Sequence, residues 1–215
     1  MAAASGVEFW HKETTIYDTP HLRLRIMARW LRQLPQRRLL DVGCSTARLR
    51  SLLPVDYGYF GCDISDHARR SLPPGHFLQM DLTKSCDFSA FAQQGIDVIH
   101  IGGVLEYLER PRPVLRALRN LVAGNSPMVL SVINFDAWRY AQPAAHHPGW
   151  VFKPRLEEFV TLLGEEGWAV ERVLPFLNKK GFGNWWFQFW TKQLGADAPW
   201  IHKRARQFIL LARAR

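Results

Sequence analysis

The sequence predicts an α/β protein whose open, mostly parallel sheet is covered by helices on both faces. Short apolar segments alternate with amphipathic helical segments along the chain, as in strand–helix units that wind a parallel sheet. Three of the apolar segments end in an acid, at Asp41, Asp63 and Asp81, and a fourth ends at Gly102. Ligands of such sheets bind beyond the carboxyl ends of the strands, so we expect these residues to converge on one site.

Seven segments are predicted to form the strands of this sheet. Each is rich in branched or aromatic residues and is bounded by glycine, proline or polar residues. The predicted strands are 38–42, 57–63, 77–80, 96–101, 128–133, 168–174 and 207–212. No internal repeat interrupts this order, so a single domain is expected over residues 1–215.

The predicted helices begin and end at recognisable signals. Pro20, which follows the capping residues Asp18 and Thr19, is expected to begin the helix of an N-terminal cap region, residues 1–35. The apolar spacing of this helix places Arg23 mostly on its solvent face. Further helices are predicted over 46–53, 66–72, 104–121 with an interruption at Pro111, and 154–166.

Two long segments, 135–152 and 177–206, lack a regular period and are rich in aromatic residues. The second reads as loop-rich, and Gly181 and Gly183 would allow it to hinge. Its aromatic residues fit the wall of an apolar pocket, a part of the core or an interface for a partner protein. We interpret both segments as insertions that cover a substrate.

The composition is that of one globular domain. The chain has 215 residues, 47% of them hydrophobic, which is sufficient for one sizeable core. No apolar run approaches the roughly 18 residues that span a bilayer, and the N-terminus lacks the pattern of a secretory signal. Cys44, Cys62 and Cys86 have no CxxC spacing and predict neither a disulfide framework nor a metal site. We therefore expect a soluble, cytoplasmic protein without membrane association or a bound metal.

The formal net charge of +9 leaves the class of partner open. Arginines are spread over 23–38, 110–119 and 204–215, at spacings that usually give a solvated helix face. A basic surface also suits nucleic acid or an anionic substrate. The charge alone does not choose between these interpretations, and the oligomeric state is equally open.

The segment 39–49 carries the most specific chemical signal. An apolar run ends at Asp41, and Gly43 with a turn of small residues leads toward a helix-like continuation. A loop that binds pyrophosphate offers backbone N–H groups and avoids carboxylates, because like charges repel. Asp41 therefore indicates a ligand that carries positive charge.

Four separated motifs, in this order, resemble those of the class I S-adenosylmethionine-dependent methyltransferases. They are Leu-Asp-Val-Gly-Cys at 40–44, Gly-Cys-Asp-Ile-Ser at 61–65, Asp-Leu at 81–82, and Asp-Val-Ile at 97–99 followed by Val-Leu-Glu-Tyr-Leu at 104–108. The likeness extends over residues 17–173 and is nearest to the small-molecule and methionine-biosynthesis W-type branch. It implies a Rossmann-like, doubly wound fold, S-adenosylmethionine as cofactor and a biosynthetic methyl transfer to oxygen or nitrogen of a small molecule.

The resemblance also implies which residues hold the cofactor. Asp41 would bind its methionine end, Asp63 its ribose hydroxyls and Asp81 its adenine amino group. Gly102 would offer its carbonyl oxygen to the ammonium group. The implied cofactor-binding residues are Tyr17, Asp41, Gly43, Cys44, Ser45, Asp63, Ile64, Asp81, Leu82 and Gly102.

The loop after Asp41 departs from the family pattern of alternating glycines. Ser45 and Ala47 stand where the second and third glycines are usual. A Cβ atom costs about 1 kcal/mol or more where the backbone needs a positive φ. Tyr107 replaces a frequent histidine, so no catalytic base is carried over to that position.

Methyl transfer to a hydroxyl or amine requires alignment of the reacting atoms and removal of a proton. The candidate bases are His146, His147 and Glu106, whereas His100 lies inside an apolar strand and reads as a hydrogen-bonded core residue. The candidate residues for binding the acceptor are Tyr107, Asn134, Trp138, Trp150, Trp185 and Trp186.

Two other functions compete with a small-molecule methyltransferase. The basic charge would suit a nucleic-acid methyltransferase, but an Asn-Pro-Pro-Tyr type of motif is absent after the fourth strand. Ser45 and Ala47 would suit a non-catalytic relative that binds the cofactor or a partner enzyme. Cofactor binding and the salt dependence of nucleic-acid binding distinguish the three.

Overall fold

The computed structural model describes residues 21–142, 147, 149–177, 182–194 and 198–215. Its seven strands are β1 (Arg38–Val42), β2 (Gly58–Asp63), β3 (Phe77–Gln79), β4 (Val98–Gly102), β5 (Pro127–Ile133), β6 (Trp168–Phe176) and β7 (Gln207–Ala214). They form one sheet in the order β3-β2-β1-β4-β5-β7-β6. Strand β7 is antiparallel to both neighbours and the other pairings are parallel. The predicted seven-stranded, mostly parallel sheet is confirmed.

Helices cover both faces of this sheet. They are α1 (Leu22–Gln33), α2 (Pro111–Leu121), α3 (Leu156–Glu165), α4 (Phe182–Leu194) and α5 (Pro199–Arg204). On one face Leu31 of α1 packs in a cluster with Leu39 of β1, and on the other Leu115 of α2 and Phe159 of α3 pack in a cluster with Leu40. Because neighbouring strand residues point to opposite faces, one short strand contributes to both apolar layers.

The predicted helix over 46–53 is wrong. Ser45 and Ala47 have φ values of +48° and +58°, in the left-handed region, so the chain turns repeatedly where a helix was expected. Only a short 3₁₀ turn, Arg50–Leu52, follows. The predicted helix at 66–72 is also only a 3₁₀ turn, His67–Arg70.

Pro111 does not interrupt a helix but begins one. It lies at the start of α2, where the absence of a backbone N–H removes no helical hydrogen bond. The residues before it form a separate 3₁₀ turn, Leu105–Tyr107. Because α2 begins only at Pro111, this turn is a separate element, and its residues Glu106 and Tyr107 lie at the carboxyl end of the sheet.

The interpretation of 177–206 as loop-rich is also wrong, since α4 and α5 lie within it. Phe187 is buried on α4 and its ring centroid lies 6.4 Å from that of Trp200 on α5. Gly183 lies inside α4 and so is not a hinge between elements, while Gly181 lies outside the described residues. The aromatic residues of this segment therefore pack two helices together on one side and are exposed on the other.

No helix within the described ranges combines the length and apolar character needed to cross a bilayer.

Candidate functional site

A cavity of about 330 Å³ opens at the carboxyl edge of the sheet. At one side, here called the aspartate end, it is lined by Gly43, Ser45, Asp63, Ile64, Asp81 and Leu82. At the other side, here called the aromatic end, it is lined by Glu106, Tyr107, Ile133, Trp150 and Gln207. Gly102 and Arg23 also line it. The ends of β1, β2 and β4 thus meet at one cavity, as expected for a parallel sheet.

Asp63 ties two loops together at the aspartate end. Its Oδ2 accepts a hydrogen bond from the Ser45 backbone N–H at 2.8 Å. Its Oδ1 accepts from the backbone N–H and the hydroxyl of Ser65, at 2.9 and 2.7 Å. A carboxylate offers about four lone-pair positions, so these three donors leave acceptor capacity for a ligand. The loop after β1 and the loop after β2 are held by the same side chain.

Asp81 is held in a similar way by the residues that follow it. Its Oδ1 accepts from the Thr83 backbone N–H at 3.0 Å and from the Thr83 hydroxyl at 2.6 Å. Its Oδ2 lies 3.2 Å from Nζ of Lys84. Burial would raise the pKa of Asp81, but the hydrogen bonds from Thr83 and Lys84 outweigh it and lower that pKa. Asp81 is therefore an ionised acceptor at the cavity wall.

Asp41 lies behind the cavity wall, not in it. Its side chain is buried, with Oδ1 2.7 Å from Nδ1 of His100 and Oδ2 accepting from the Tyr59 hydroxyl. Burial, with the nearby Asp41, raises the pKa of Tyr59, so this hydroxyl stays a donor. His100 Nε2 is buried without a hydrogen-bond partner among the described residues. Asp41 thus joins β1, β2 and β4 in a buried polar network.

The loop after β1 is fixed by close packing. Gly43 has φ +74°, and a Cβ there would lie 2.2 Å from Cγ2 of Val104, so glycine is required at this position. The backbone N–H groups of Gly43 and Cys44 both donate to the Cys62 carbonyl, at 2.8 and 3.1 Å. The Cys44 thiol is buried against Gly61, and burial raises its pKa. Cys44 therefore supports the loop from behind.

Arg23 reaches the cavity from α1, although its sequence spacing predicts a solvent-facing position. Its guanidinium donates to the carbonyl oxygen of Gly102 at 3.2 Å and lies against Gly103. Helix α1 packs on the sheet with its N-terminal turn near the carboxyl edge, so its polar face is directed toward the cavity. Helical periodicity within α1 could not reveal this, because it depends on where the helix docks.

Glu106 anchors the aromatic end. Its Oε1 accepts from the backbone N–H of Ile133 at 2.8 Å, and its carbonyl oxygen accepts from the N–H groups of Val151 and Phe152. Oε2 is buried and has no hydrogen-bond partner among the described residues. Burial raises the pKa of Glu106 above its ordinary value, opposed in part by its own backbone N–H, by the charge of Arg23 and by the Ile133 N–H. The carboxyl thus has one engaged oxygen and one oxygen without a partner.

Gln207, which sequence reasoning missed, lines the same cavity as Glu106. It begins β7 and is the register partner of Ile133 on β5. Its side chain lines the cavity, and its Oε1 is buried with no hydrogen-bond partner within the described part of the chain. An antiparallel strand starts where its parallel neighbours end, so Gln207 lies at the cavity because of the direction of β7, which the local sequence does not reveal.

Aromatic rings surround this end of the cavity. The Trp150 ring centroid lies 5.7 Å from Phe135, 5.8 Å from Tyr140 and 5.8 Å from His147. Tyr107 contacts His147 edge to face at 5.6 Å. The candidate base His147 is thus within the cluster, whereas His146, like Tyr17, lies outside the described residues.

The other candidate acceptor-binding residues lie away from the cavity lining. Asn134 is buried and donates through Nδ2 to the carbonyl oxygens of His202 and Ala205, so it secures the connection before β7. Trp138 is exposed, with the Arg204 guanidinium over its ring. Trp185 and Trp186 are exposed on α4. Of the six candidates only Tyr107 and Trp150 line the cavity.

Comparison with known proteins agrees with this architecture. Residues 40–127 match a family model described as a methyltransferase domain. No curated protein sequence matches the chain significantly.

Solved structures with similar folds have low sequence identity. A chain in the complex between the Haloferax volcanii Trm112 methyltransferase activator and a methyltransferase is 13% identical, covers 99% of each chain and has a TM-score of 0.69. The N-methyltransferase NodS from Bradyrhizobium japonicum, in complex with S-adenosyl-L-homocysteine, is 14% identical with 97% of each chain covered and a TM-score of 0.62.

The magnesium protoporphyrin IX methyltransferase from Synechocystis, solved with bound S-adenosylhomocysteine, is 16% identical. The alignment covers all of this chain and 90% of the Synechocystis chain, with a TM-score of 0.57. Residues 40–127 are thus similar to a methyltransferase domain, and the strand order with the similar solved structures shows the class I S-adenosylmethionine-dependent methyltransferase fold.

Proposed function

We propose that this protein is an S-adenosylmethionine-dependent methyltransferase that acts on a hydroxyl or amine of a small molecule. The observation that carries the proposal is one cavity in which three strand ends meet a cluster of half-buried aromatic rings. A cytoplasmic location and a biosynthetic role form part of the same proposal. Similar solved structures include methyltransferases named for small-molecule or N-methyl acceptors, which supports this acceptor class.

The aspartate end fits the polar groups of the cofactor. Asp63 keeps acceptor capacity for a ribose hydroxyl, and Asp81 is an ionised acceptor suited to an adenine amino group. The Gly102 carbonyl has a second lone pair beside the one that Arg23 engages, and it can accept from an ammonium group. The Arg23 guanidinium suits the carboxylate of the same methionine moiety.

Asp41 takes an indirect part in this proposal. Its buried bonds to His100 and Tyr59 hold β1, β2 and β4 in register at the cavity floor. It therefore positions the loop that begins at Gly43 and does not itself contact the ligand. Asp41 would thus contribute to cofactor binding by keeping this loop in its observed geometry.

When bound, S-adenosylmethionine supplies a methyl group already activated by its sulfonium. The chain's own contribution is to align the acceptor, exclude water and hold the proton that a hydroxyl or amine loses. Trp150 and Tyr107 supply apolar walls, and Glu106 supplies a carboxyl at the cavity surface. His147, within the aromatic cluster, is the second candidate to accept the proton.

Isothermal titration calorimetry with S-adenosylmethionine and S-adenosylhomocysteine tests this proposal. We expect both to bind with a stoichiometry of about one per chain, because one cavity carries the complementary groups. A chain that is folded by circular dichroism but binds neither compound would refute the proposed function.

A further inference from the structure

Two buried hydrogen-bond acceptors that have no partner among the described residues distinguish the aromatic end of the cavity. They are Oε2 of Glu106 and Oε1 of Gln207, on residues that are 1% and 8% exposed. Both side chains line the same cavity. Buried polar atoms are almost always hydrogen-bonded, because an unpaired one costs about 1–3 kcal/mol. Two such atoms at one cavity wall indicate a ligand that donates hydrogen bonds there.

The backbone places both residues next to Ile133. Ile133, the last residue of β5, donates its N–H to Oε1 of Glu106 and is the register partner of Gln207 on β7. Glu106 and Gln207 therefore lie on either side of the same residue. The Ile133 bond also fixes the carboxyl group, so that Oε2 is the oxygen left for a ligand.

From this geometry we infer that the methyl acceptor is an amine, bound by Glu106 and Gln207 through its N–H groups. The inference rests on the proposed methyltransferase function. A hydroxyl has a single O–H and can satisfy only one of the two acceptors, whereas an amine or ammonium group has two or three N–H donors. The count of donors thus favours nitrogen over oxygen as the methylated atom.

The carboxyl group of Glu106 and the aromatic lining of this end also favour an amine as the acceptor. An ammonium group brings a positive charge to the ionised form of Glu106, which has no ion-pair partner within the described residues. Arg23 acts on this carboxyl only at longer range, since its guanidinium donates to Gly102. Tyr107 and Trp150 line the same end, and the faces of aromatic rings attract cations.

In the proposed reaction Glu106 acts as the base. The ammonium group of the substrate gives one proton to the Glu106 carboxylate, which frees the nitrogen lone pair. This lone pair forms a bond to the methyl carbon as the carbon–sulfur bond breaks, and the bonding electrons remain on sulfur as a neutral thioether. The product is a methylated ammonium ion, and Glu106 then releases its proton to solvent. The raised pKa of Glu106 makes it a stronger base than an exposed carboxylate.

The test compares 2-phenylethylamine with 2-phenylethanol, which differ only in the donor group. Each is titrated by calorimetry into the protein saturated with S-adenosylhomocysteine, after binding of that compound has been measured by itself. We expect the amine to bind at least about 10-fold more tightly than the alcohol, as two hydrogen bonds to buried acceptors would give.

Two variants locate the effect. Glu106→Gln keeps an oxygen for the Ile133 N–H but places an NH₂ donor where Oε2 was, and should lower amine affinity about 10- to 100-fold. Gln207→Leu should lower it about 5- to 10-fold. The matched controls are Glu109→Gln and Gln193→Leu, at exposed positions, and these should not change it. All four should bind S-adenosylhomocysteine within about twofold of the unmodified protein.

The results of these titrations distinguish the proposed methyltransferase function from the assignment of an amine acceptor. Failure of S-adenosylhomocysteine to bind overturns the proposed function itself. If it binds but the amine and alcohol have equal affinity, or neither binds, the assignment of an amine acceptor is wrong and the proposed function stands. Retention of the amine preference by Glu106→Gln would equally overturn it. A Gln207→Leu protein that does not fold leaves Glu106→Gln, which preserves the Ile133 hydrogen bond, to decide the question.

Discussion

The two ends of the cavity differ in how completely their polar groups are satisfied. At the aspartate end, Asp63 and Asp81 accept hydrogen bonds from the loops that they organise. At the aromatic end, Glu106 and Gln207 each keep a buried oxygen that has no partner among the described residues. The first end is held in shape by its own bonds, whereas the second, as we propose, is completed by the acceptor. Substitutions at the first should alter folding and cofactor affinity, and those at the second should alter the choice of acceptor.

The largest effect is expected from Asp41→Ala, which should lower the free energy of unfolding by about 3 kcal/mol. The change leaves the Tyr59 hydroxyl and His100 Nδ1 buried without their acceptor. Urea denaturation followed by circular dichroism measures the loss. Asp56→Ala, at an exposed position beside Arg37, is the control and should stay within about 0.5 kcal/mol. A loss below about 1 kcal/mol for Asp41→Ala would show that this network does not stabilise the floor of the site.

Asp63→Ala should weaken binding of S-adenosylhomocysteine about 30- to 100-fold. It removes the acceptor proposed for the ribose and also releases the Ser45 and Ser65 N–H groups that shape the binding loops. Calorimetry gives the affinity, with exposed Asp66→Ala as the matched control on the same loop. An affinity within threefold of the unmodified protein would contradict the proposed role.

The sequence was most informative where a signal is local. Strand β1 was predicted at its observed bounds and β2 was correctly predicted to end at Asp63, while the ends of β3 and β4 were predicted to within one residue, because an apolar run followed by an acid or glycine is readable in one place. The same local patterns placed Asp63, Asp81 and Gly102 at one cavity, because parallel strands end at a common edge.

Features that depend on packing between distant segments could not be predicted. Arg23 reaches the cavity only because α1 docks with its first turn near that edge. Gln207 lies there only because β7 runs antiparallel to β5. Asp41 is an acid at the end of β1, which suggested a direct contact with the cofactor. It is instead buried by its hydrogen-bond partners, Tyr59 on β2 and His100 on β4. In each case the deciding contact is made by a residue far away in the sequence.

Ser45→Gly should raise the free energy of unfolding by about 0.5–1 kcal/mol. Ser45 has φ +48°, a backbone conformation that is unfavourable for any residue with a Cβ atom but not for glycine. Ala90→Gly, at an exposed position in a 3₁₀ turn, is the contrasting control and should be destabilising. Urea denaturation of the three proteins measures both changes. Destabilisation by Ser45→Gly would show that the hydroxyl, and not the backbone, determines stability at this position.

The smallest effect is a pH dependence that separates the two ends of the cavity. The pKa of Glu106 is raised in the folded protein above its ordinary value of 4.5. The folded state therefore holds this proton more tightly than the unfolded chain, and stability from it is fully present below pH 4.5 and is lost as pH rises through the folded pKa. Glu106→Gln cannot lose a proton, so its stability relative to the unmodified protein should increase across that interval.

Asp81 should show the opposite sign, because hydrogen bonds lower its pKa and its stabilising effect is lost as pH falls. Urea midpoints of the unmodified protein and of the Glu106→Gln and Asp81→Asn variants, measured in steps from about pH 2 to about pH 8, give both differences, and carboxylates common to the compared proteins cancel. If the difference in stability between Glu106→Gln and the unmodified protein did not vary with pH, the Glu106 carboxylate would have to be as well stabilised in the folded protein as in the unfolded chain. The contrast between a satisfied aspartate end and an unsatisfied aromatic end would then not hold.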